Sequence, residues 1–175
     1  FAPGASQTQV FANAIADQTG SGGTGGNAGT GNINKSGAGT TILSADNTYA
    51  GTTTIAAGTL QVGSGGTTGT LGSGAVVNNA TLSFNRSNSL TVANALSGSG
   101  AVVQQGSGTL VLTGANSYSG GTTVSAGTLQ GNATSLQGNI VNNAAVVFDQ
   151  TGSGTYAGVM SGTGSLTKQN TGTLV

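Results

Sequence analysis

Apolar and polar residues alternate along this chain in short bursts. Ala80, Leu82 and Phe84 alternate with polar neighbours, as do Ala144, Val146 and Phe148. Period-two spacing places such side chains on one face of a strand. Three further strand-like runs lie at 109–113, 122–125 and 128–130. They are separated by turn-rich 114–121 and by Ala126-Gly127. The pattern changes at the N-terminus, where Val10, Phe11, Ala14 and Ile15 have helical spacing. That segment is short for an isolated helix. A short helix, an irregular lead-in and the end of an upstream β-coil all remain open. Residues 20–31, GSGGTGGNAGTG, read as a flexible linker or wide loop, since no Gly-Lys-Ser/Thr follows to cradle phosphate.

The bursts repeat. Residues 106–130, GSGTLVLTGANSYSGGTTVSAGTLQ, recur without a gap as 37–61, 69 positions earlier, with 14 of 25 residues identical. The identities include Gly39 and Gly108, Asn47 and Asn116, Tyr49 and Tyr118, Gly51 and Gly120, Gly58 and Gly127, and Leu60 and Leu129. These twelve are expected to be structural residues of the repeat. Residues 74–84 match 138–148, and 95–111 match 159–175, both displaced by 64. The chain therefore divides into a lead-in and Gly-rich segment (1–31) and repeats at 32–100 and 100–164, with a truncated third from 164. Because the third copy breaks off within a strand pattern, a larger parent chain is expected.

A repeat of 64–69 residues accommodates about nine short strands, or about three coils of ~20 to 23 residues. One coil cannot bury its apolar face alone, but stacked coils share a continuous core. The expected fold is an all-β parallel β-helix of about eight coils, roughly 40 Å long at ~4.8 Å per coil. Aligned residues of successive repeats are expected on equivalent faces. Asn78-Asn79 and Asn142-Asn143 are expected at turns, their amides bonding the neighbouring coil; a polar ligand row is the alternative. Tyr49 and Tyr118 are expected to pack over a turn with the hydroxyl at the surface; carbohydrate stacking is the alternative.

Composition narrows the classes of function. Only 3% of the residues are charged, the net charge is zero, and there is no Cys, His or Trp. Disordered chains carry more charge and fewer β-branched residues. Collagen is excluded by a single Pro and the lack of a Gly triplet period. Lys35, Arg86 and Lys168 are scattered, which argues against nucleic acid and against a basic membrane patch. No apolar run approaches the ~20 residues of a membrane helix, so this segment is not expected to insert.

The stretch 108–124, GTLVLTGANSYSGGTTV, with 126–130, AGTLQ, resembles the passenger-associated transport repeat of bacterial autotransporters. Residues 37–61 match it with Thr41 in place of Leu and Asp46 in the turn, and 171–175 form a truncated third start. The resemblance implies a right-handed parallel β-helical passenger. It would be secreted through the outer membrane and displayed on or released from a Gram-negative cell. A translocator barrel is then expected in the parent chain.

Chemistry is sparse. The acids are Asp17, Asp46 and Asp149, with no Glu. Catalysis by acid–base or nucleophilic routes needs titratable groups held together, so no catalytic residue, metal site or cofactor is assigned. Three readings follow: a stalk or adhesin scaffold with a host or cell-surface receptor; a self-associating fibre or cell–cell module; and, as a minor one, a flat ice-binding Thr array around Thr52-Thr53-Thr54 and Thr122-Thr123. Two Asn-x-Ser/Thr triplets, at Asn85 and Asn132, match the N-glycosylation pattern and are read as chance in a bacterial protein.

Overall fold

The computed structural model describes residues 1–17 and 29–175. They form seventeen strands and no helix, in three sheets. An eight-stranded sheet stacks Thr8–Phe11, Thr40–Leu43, Thr59–Val62, Thr81–Phe84, Ala101–Gln104, Thr122–Val124, Ile140–Asn142 and Met160–Ser161. A five-stranded sheet holds Leu90–Val92, Thr109–Leu112, Thr128–Gly131, Ala145–Asp149 and Ser165–Gln169. A four-stranded sheet holds Ile33–Lys35, Thr53–Ile55, Val76–Asn78 and Leu96–Ser97. Neighbouring strands pair in parallel throughout, as in Thr40–Leu43 on Thr59–Val62 and Thr109–Leu112 on Thr128–Gly131. Parallel neighbours need a long crossover, and here the other two sides of each coil supply it. The result is a three-sided parallel β-solenoid of about seven turns.

Coil length follows from the register. Partners in the eight-stranded sheet lie 19 residues apart at Thr40↔Thr59, 22 at Thr59↔Thr81, 20 at Thr81↔Ala101, 18 at Thr122↔Ile140 and 20 at Ile140↔Met160. Inward side chains stack in columns: Leu60, Leu82 and Val102 in one sheet, Leu110, Leu129 and Val146 in another, all buried. The run 110–112 does alternate. Leu110 and Leu112 point inward, and Val111 is half-exposed.

The N-terminal segment is not helical. Thr8–Phe11 is a strand paired with Thr40–Leu43, so the β-coil alternative holds there and the sheet includes part of the lead-in. Thr, Val and Phe favour a pleated surface, and the edge of Thr40–Leu43 supplies the hydrogen bonds. Of the Gly-rich stretch 20–31, residues 20–28 lie outside the described residues.

One expectation is overturned: the repeats do not occupy equivalent faces. Three coils carry Thr40 to Ala101 in the same sheet, 61 residues on. The repeat is 69, and the additional eight residues turn the chain across one corner onto the next sheet. Thr40–Leu43 thus lies in the eight-stranded sheet, and its copy Thr109–Leu112 in the five-stranded one. Likewise Thr53–Ile55 is in the four-stranded sheet and its copy Thr122–Val124 in the eight-stranded one. Each repeat spans three and a third coils. Strand and turn chemistry is alike at every corner of a three-sided coil, so the sequence match does not specify the corner. The shorter displacement of 64 arises because residues 131–137 replace the longer 62–73, five residues being absent.

Thr41 occupies an inward core position, opposite Leu60, where the second repeat has Leu110. Its Oγ1 is buried without a partner. An unsatisfied buried hydroxyl costs about 1–3 kcal/mol. Thr41→Val keeps the branched shape and removes the orphan oxygen. It is expected to raise the unfolding free energy by about 1 kcal/mol in a urea titration; a lower midpoint would contradict this account.

Candidate functional site

The residues shared by the two repeats assemble into stacked corners. Asn47 and Asn116 are buried and tie coils together. Asn116 Oδ1 accepts from the Leu96 N–H at 2.9 Å in the preceding coil, while its Nδ2 donates to the Ser135 carbonyl at 2.7 Å in the next. Asn47 does the same, accepting from the Ile15 N–H at 2.7 Å and donating to the Thr70 carbonyl at 2.6 Å. Each amide thus satisfies backbone groups that the corner leaves unpaired.

The tyrosines depart from expectation. Tyr49 and Tyr118 are buried, and their hydroxyls pair with Thr53 Oγ1 at 2.7 Å and Thr122 Oγ1 at 2.8 Å. The hydroxyl is inside because Thr53 and Thr122 turn inward four residues later and give it a partner, as a buried phenol requires. That inward turn also dismantles the proposed Thr array. Thr54 and Thr123 remain outward, but on different sheets. A separate outward column does run Thr8, Thr40, Thr59, Thr81 over consecutive strands, and the column beside it reads Val10, Ile42, Gln61, Ser83.

Gly58 and Gly127 take φ of 68° and 61° and sit over the turn of the coil below. A Cβ on Gly127 would collide with the carbonyls of Gly108 and Gly106, and one on Gly58 with those of Gly37 and Gly39. Gly39, Gly51, Gly108 and Gly120 likewise press on backbone or side-chain atoms of an adjoining coil. Leu60 and Leu129 are fully buried. The paired Asn residues sit at corners too: Asn78 Nδ2 donates to the Ala101 carbonyl at 2.9 Å and Asn142 Nδ2 to the Ser165 carbonyl at 2.8 Å.

Sequence reasoning missed what two of the cations do. Lys35 is fully buried, and its Nζ donates to the carbonyls of Gly37 and Ala57. Burial pulls its pKa below the usual lysine value. The repeat offset was the available signal: Lys35 aligns with Gln104, whose Nε2 donates to the Gly106 and Gly108 carbonyls at 2.9 and 3.0 Å. Arg86 is buried beneath residues 63–69. It donates to the carbonyls of Gly69 at 2.8 Å and of Thr67, and to Asn88 Oδ1 at 3.0 Å. Asp46 lies 3.7 Å from Arg86 and accepts from the Gly69 N–H at 2.9 Å. This pair holds a loop; a guanidinium bound to carbonyls is no proton shuttle.

The other acids are also spent on hydrogen bonds. Asp149 accepts from Gln130 Nε2 at 3.0 Å and from Asn170 Nδ2. Asp17 accepts from the N–H groups of Gly31 and Ala50 at 2.7 and 2.9 Å. Among the described residues no group of three Asp, Glu, His or Cys is gathered that would hold a metal ion.

The repeats contain their own controls. Lys35→Gln is expected to be tolerated, because Gln104 fills the equivalent cradle, while Lys35→Met leaves buried carbonyls without a donor and should cost about 2 kcal/mol. Equal losses for both variants in thermal unfolding would refute the cradle assignment. Burial raises the phenol pKa of Tyr49 and Tyr118, and burial with Tyr118 nearby raises Tyr156 to about 12. Phenols with raised folded values contribute stability below the unfolded value of about 10 that is lost as pH rises through the folded values. Lys35, with a lowered folded value, has the opposite slope, confined to pH below about 10.5. Stability should therefore fall above pH 10.5, with tyrosinate absorbance appearing at or beyond the unfolding transition. Full phenol ionisation near pH 10 in the folded chain would contradict the burial.

Comparison with known proteins locates these corners within one family. The passenger-associated-transport-repeat family model matches residues 33–62 and 102–130, the two segments that carry the Asn, Tyr and Gly contacts described above. The chain is 37% identical over 160 residues to an adhesin BmaC autotransporter of Brucella suis biovar 1 (strain 1330), an alignment covering 78% of this chain and 5% of that protein. The chain thus spans about a twentieth of that relative's length. No solved structure matches. With two repeat matches on two equivalent stacked corners of a parallel β-solenoid, this chain belongs to the autotransporter passengers built from passenger-associated transport repeats.

Proposed function

We propose that this segment is a non-catalytic scaffold, a stalk that carries adhesive surfaces within a secreted or surface-displayed Gram-negative autotransporter. The observation that carries the proposal is how its few charged and polar side chains are used. Lys35, Gln104, Arg86, Asn47 and Asn116 all hold corners by bonding backbone of their own or neighbouring coils. Nothing is left arranged around a vacant reaction centre in the described residues. The seven steps between the eight stacked strands make a rod of roughly 34 Å at ~4.8 Å per step. The name of the Brucella relative supports an adhesin role, and its far greater length supports a larger parent chain bearing a translocator barrel. A receptor on a host or neighbouring cell is the partner this reading implies.

A second reading, self-association, draws on the outward face of the eight-stranded sheet. That face carries no charged side chain, and Val10 and Val141 are 56% and 41% exposed on it. Uncharged faces meet without like-charge repulsion.

The deciding test introduces Asn116→Ala and, separately, Thr54→Lys with Thr123→Lys into the parent protein. Asn116→Ala leaves the Leu96 N–H and the Ser135 carbonyl unpaired and should cost the segment at least about 2 kcal/mol. Surface display and adhesion should then fall together, whereas the outward lysines should spare display. Full adhesion from a segment shown to be unfolded would defeat the scaffold reading. Light scattering over a range of concentrations decides the second reading: a monomer at every concentration excludes it.

A further inference from the structure

The two Asn-x-Ser/Thr triplets look alike in sequence but not in structure. Asn132-Ala133-Thr134 lies in the corner segment 131–137 that replaces the longer loop of the first repeat. Asn132 Oδ1 accepts three hydrogen bonds: from Thr134 Oγ1 at 2.7 Å, from the Thr134 N–H at 2.9 Å and from the Ser135 N–H at 2.9 Å. Its Nδ2 donates none and is not among the buried polar atoms, so it is open to solvent. In the other triplet, the Ser87 hydroxyl makes no bond to Asn85, and the central Arg86 is buried beneath residues 63–69. Beside Asn132, starting at Ala133, runs an open groove of about 340 Å³ lined by Gln137, Asn139 and Tyr156. Amide groups and a phenol ring offer polar contacts and an aromatic surface to a sugar.

We propose that Asn132 is an N-glycosylation acceptor, taking a sugar on Nδ2 from a diphosphate-activated donor. The triplet's third residue has a defined part: the Thr134 hydroxyl donates to the carboxamide oxygen. Donors on that oxygen stabilise the imidate form, in which the nitrogen has given up a proton and has a lone pair to offer. In the transfer, a bond forms between Nδ2 and the anomeric carbon. The bond from that carbon to the diphosphate oxygen breaks, and the diphosphate departs with the electron pair. The amide proton passes to a base of the transferase. No oxidation or reduction is involved. The attached sugar lies outside the strand stack, beside the Tyr156 groove, and adds polar bulk to one corner of a nearly uncharged rod.

The test is mass analysis of the protein isolated from its native host, with glycopeptide mapping across residues 120–150. Sugar mass is expected on Asn132. It should vanish in Asn132→Gln and in Thr134→Val, persist in Thr134→Ser, and be unchanged in Asn85→Gln. Sugar already present on the cytoplasmic pool identifies a nucleotide-linked donor; sugar confined to exported protein identifies a lipid-linked one. An unmodified Asn132 in native-host protein overturns the proposal. So does sugar mass of the same size in Asn132→Gln. Because Asn132 is partly exposed and its Nδ2 has no partner, a change in folding does not account for loss of the sugar, and circular dichroism of each variant checks this.

Discussion

The close vertical approach of successive coils governs this molecule. Parallel strands stack at ~4.8 Å, and the ladder satisfies the backbone along each side. At the corners the ladder is interrupted, yet the next coil still lies directly on top. Backbone there has no room for a Cβ and needs hydrogen-bond partners that a turn alone does not supply. Gly58 and Gly127 meet the first demand, lying over carbonyls of the coil beneath in a left-handed conformation. Asn47, Asn116, Asn78 and Asn142 meet the second by bonding from coil to coil. The abundance of Gly and Asn, which would suggest disorder in another chain, is a consequence of stacking.

The same constraint accounts for the use of charge. A solenoid three short strands around has a narrow core, and a long polar side chain pointing inward soon reaches the next corner. Lys35 and Gln104 show two solutions to one geometry: an ammonium and an amide each reach turn carbonyls from the last inward position of a strand. Arg86 performs a similar service for the longest corner excursion, assisted by Asp46. With so few ionisable groups, committing them to corners leaves outer faces of Thr, Ser, Gln and Val. Those faces set the terms on which any partner meets the rod.

The offset of three and a third coils has a consequence for display. Two nearly identical motifs face different sides of the solenoid, three coils apart along its axis. Outward residues such as Thr54 and Thr123 therefore belong to separate surfaces, although they align in sequence. A partner recognising one copy does not gain the second by lying flat against the same side. The repeat preserves the interior, where stacking chemistry is alike at each corner, and distributes the exterior around the rod.

Much of this was written in the local pattern. Alternation at 80–84 and 144–148, the recurrence of 37–61 at 106–130, and the Gly and Asn turns determined a parallel β-solenoid and its repeat length, since strand period and turn chemistry are local properties. The same pattern marked the twelve shared residues, though not what each touches. Only the tertiary structure decided which side of the coil each repeat occupies, because coil length is a sum over three sides and corners of unequal size. It also decided that Tyr49 and Tyr118 turn inward, since their partners Thr53 and Thr122 come within reach only once the corner closes. The burial of Lys35 was decided there too: the carbonyl of Ala57 that receives it comes from the next coil, 22 residues away in sequence and brought within reach only by stacking.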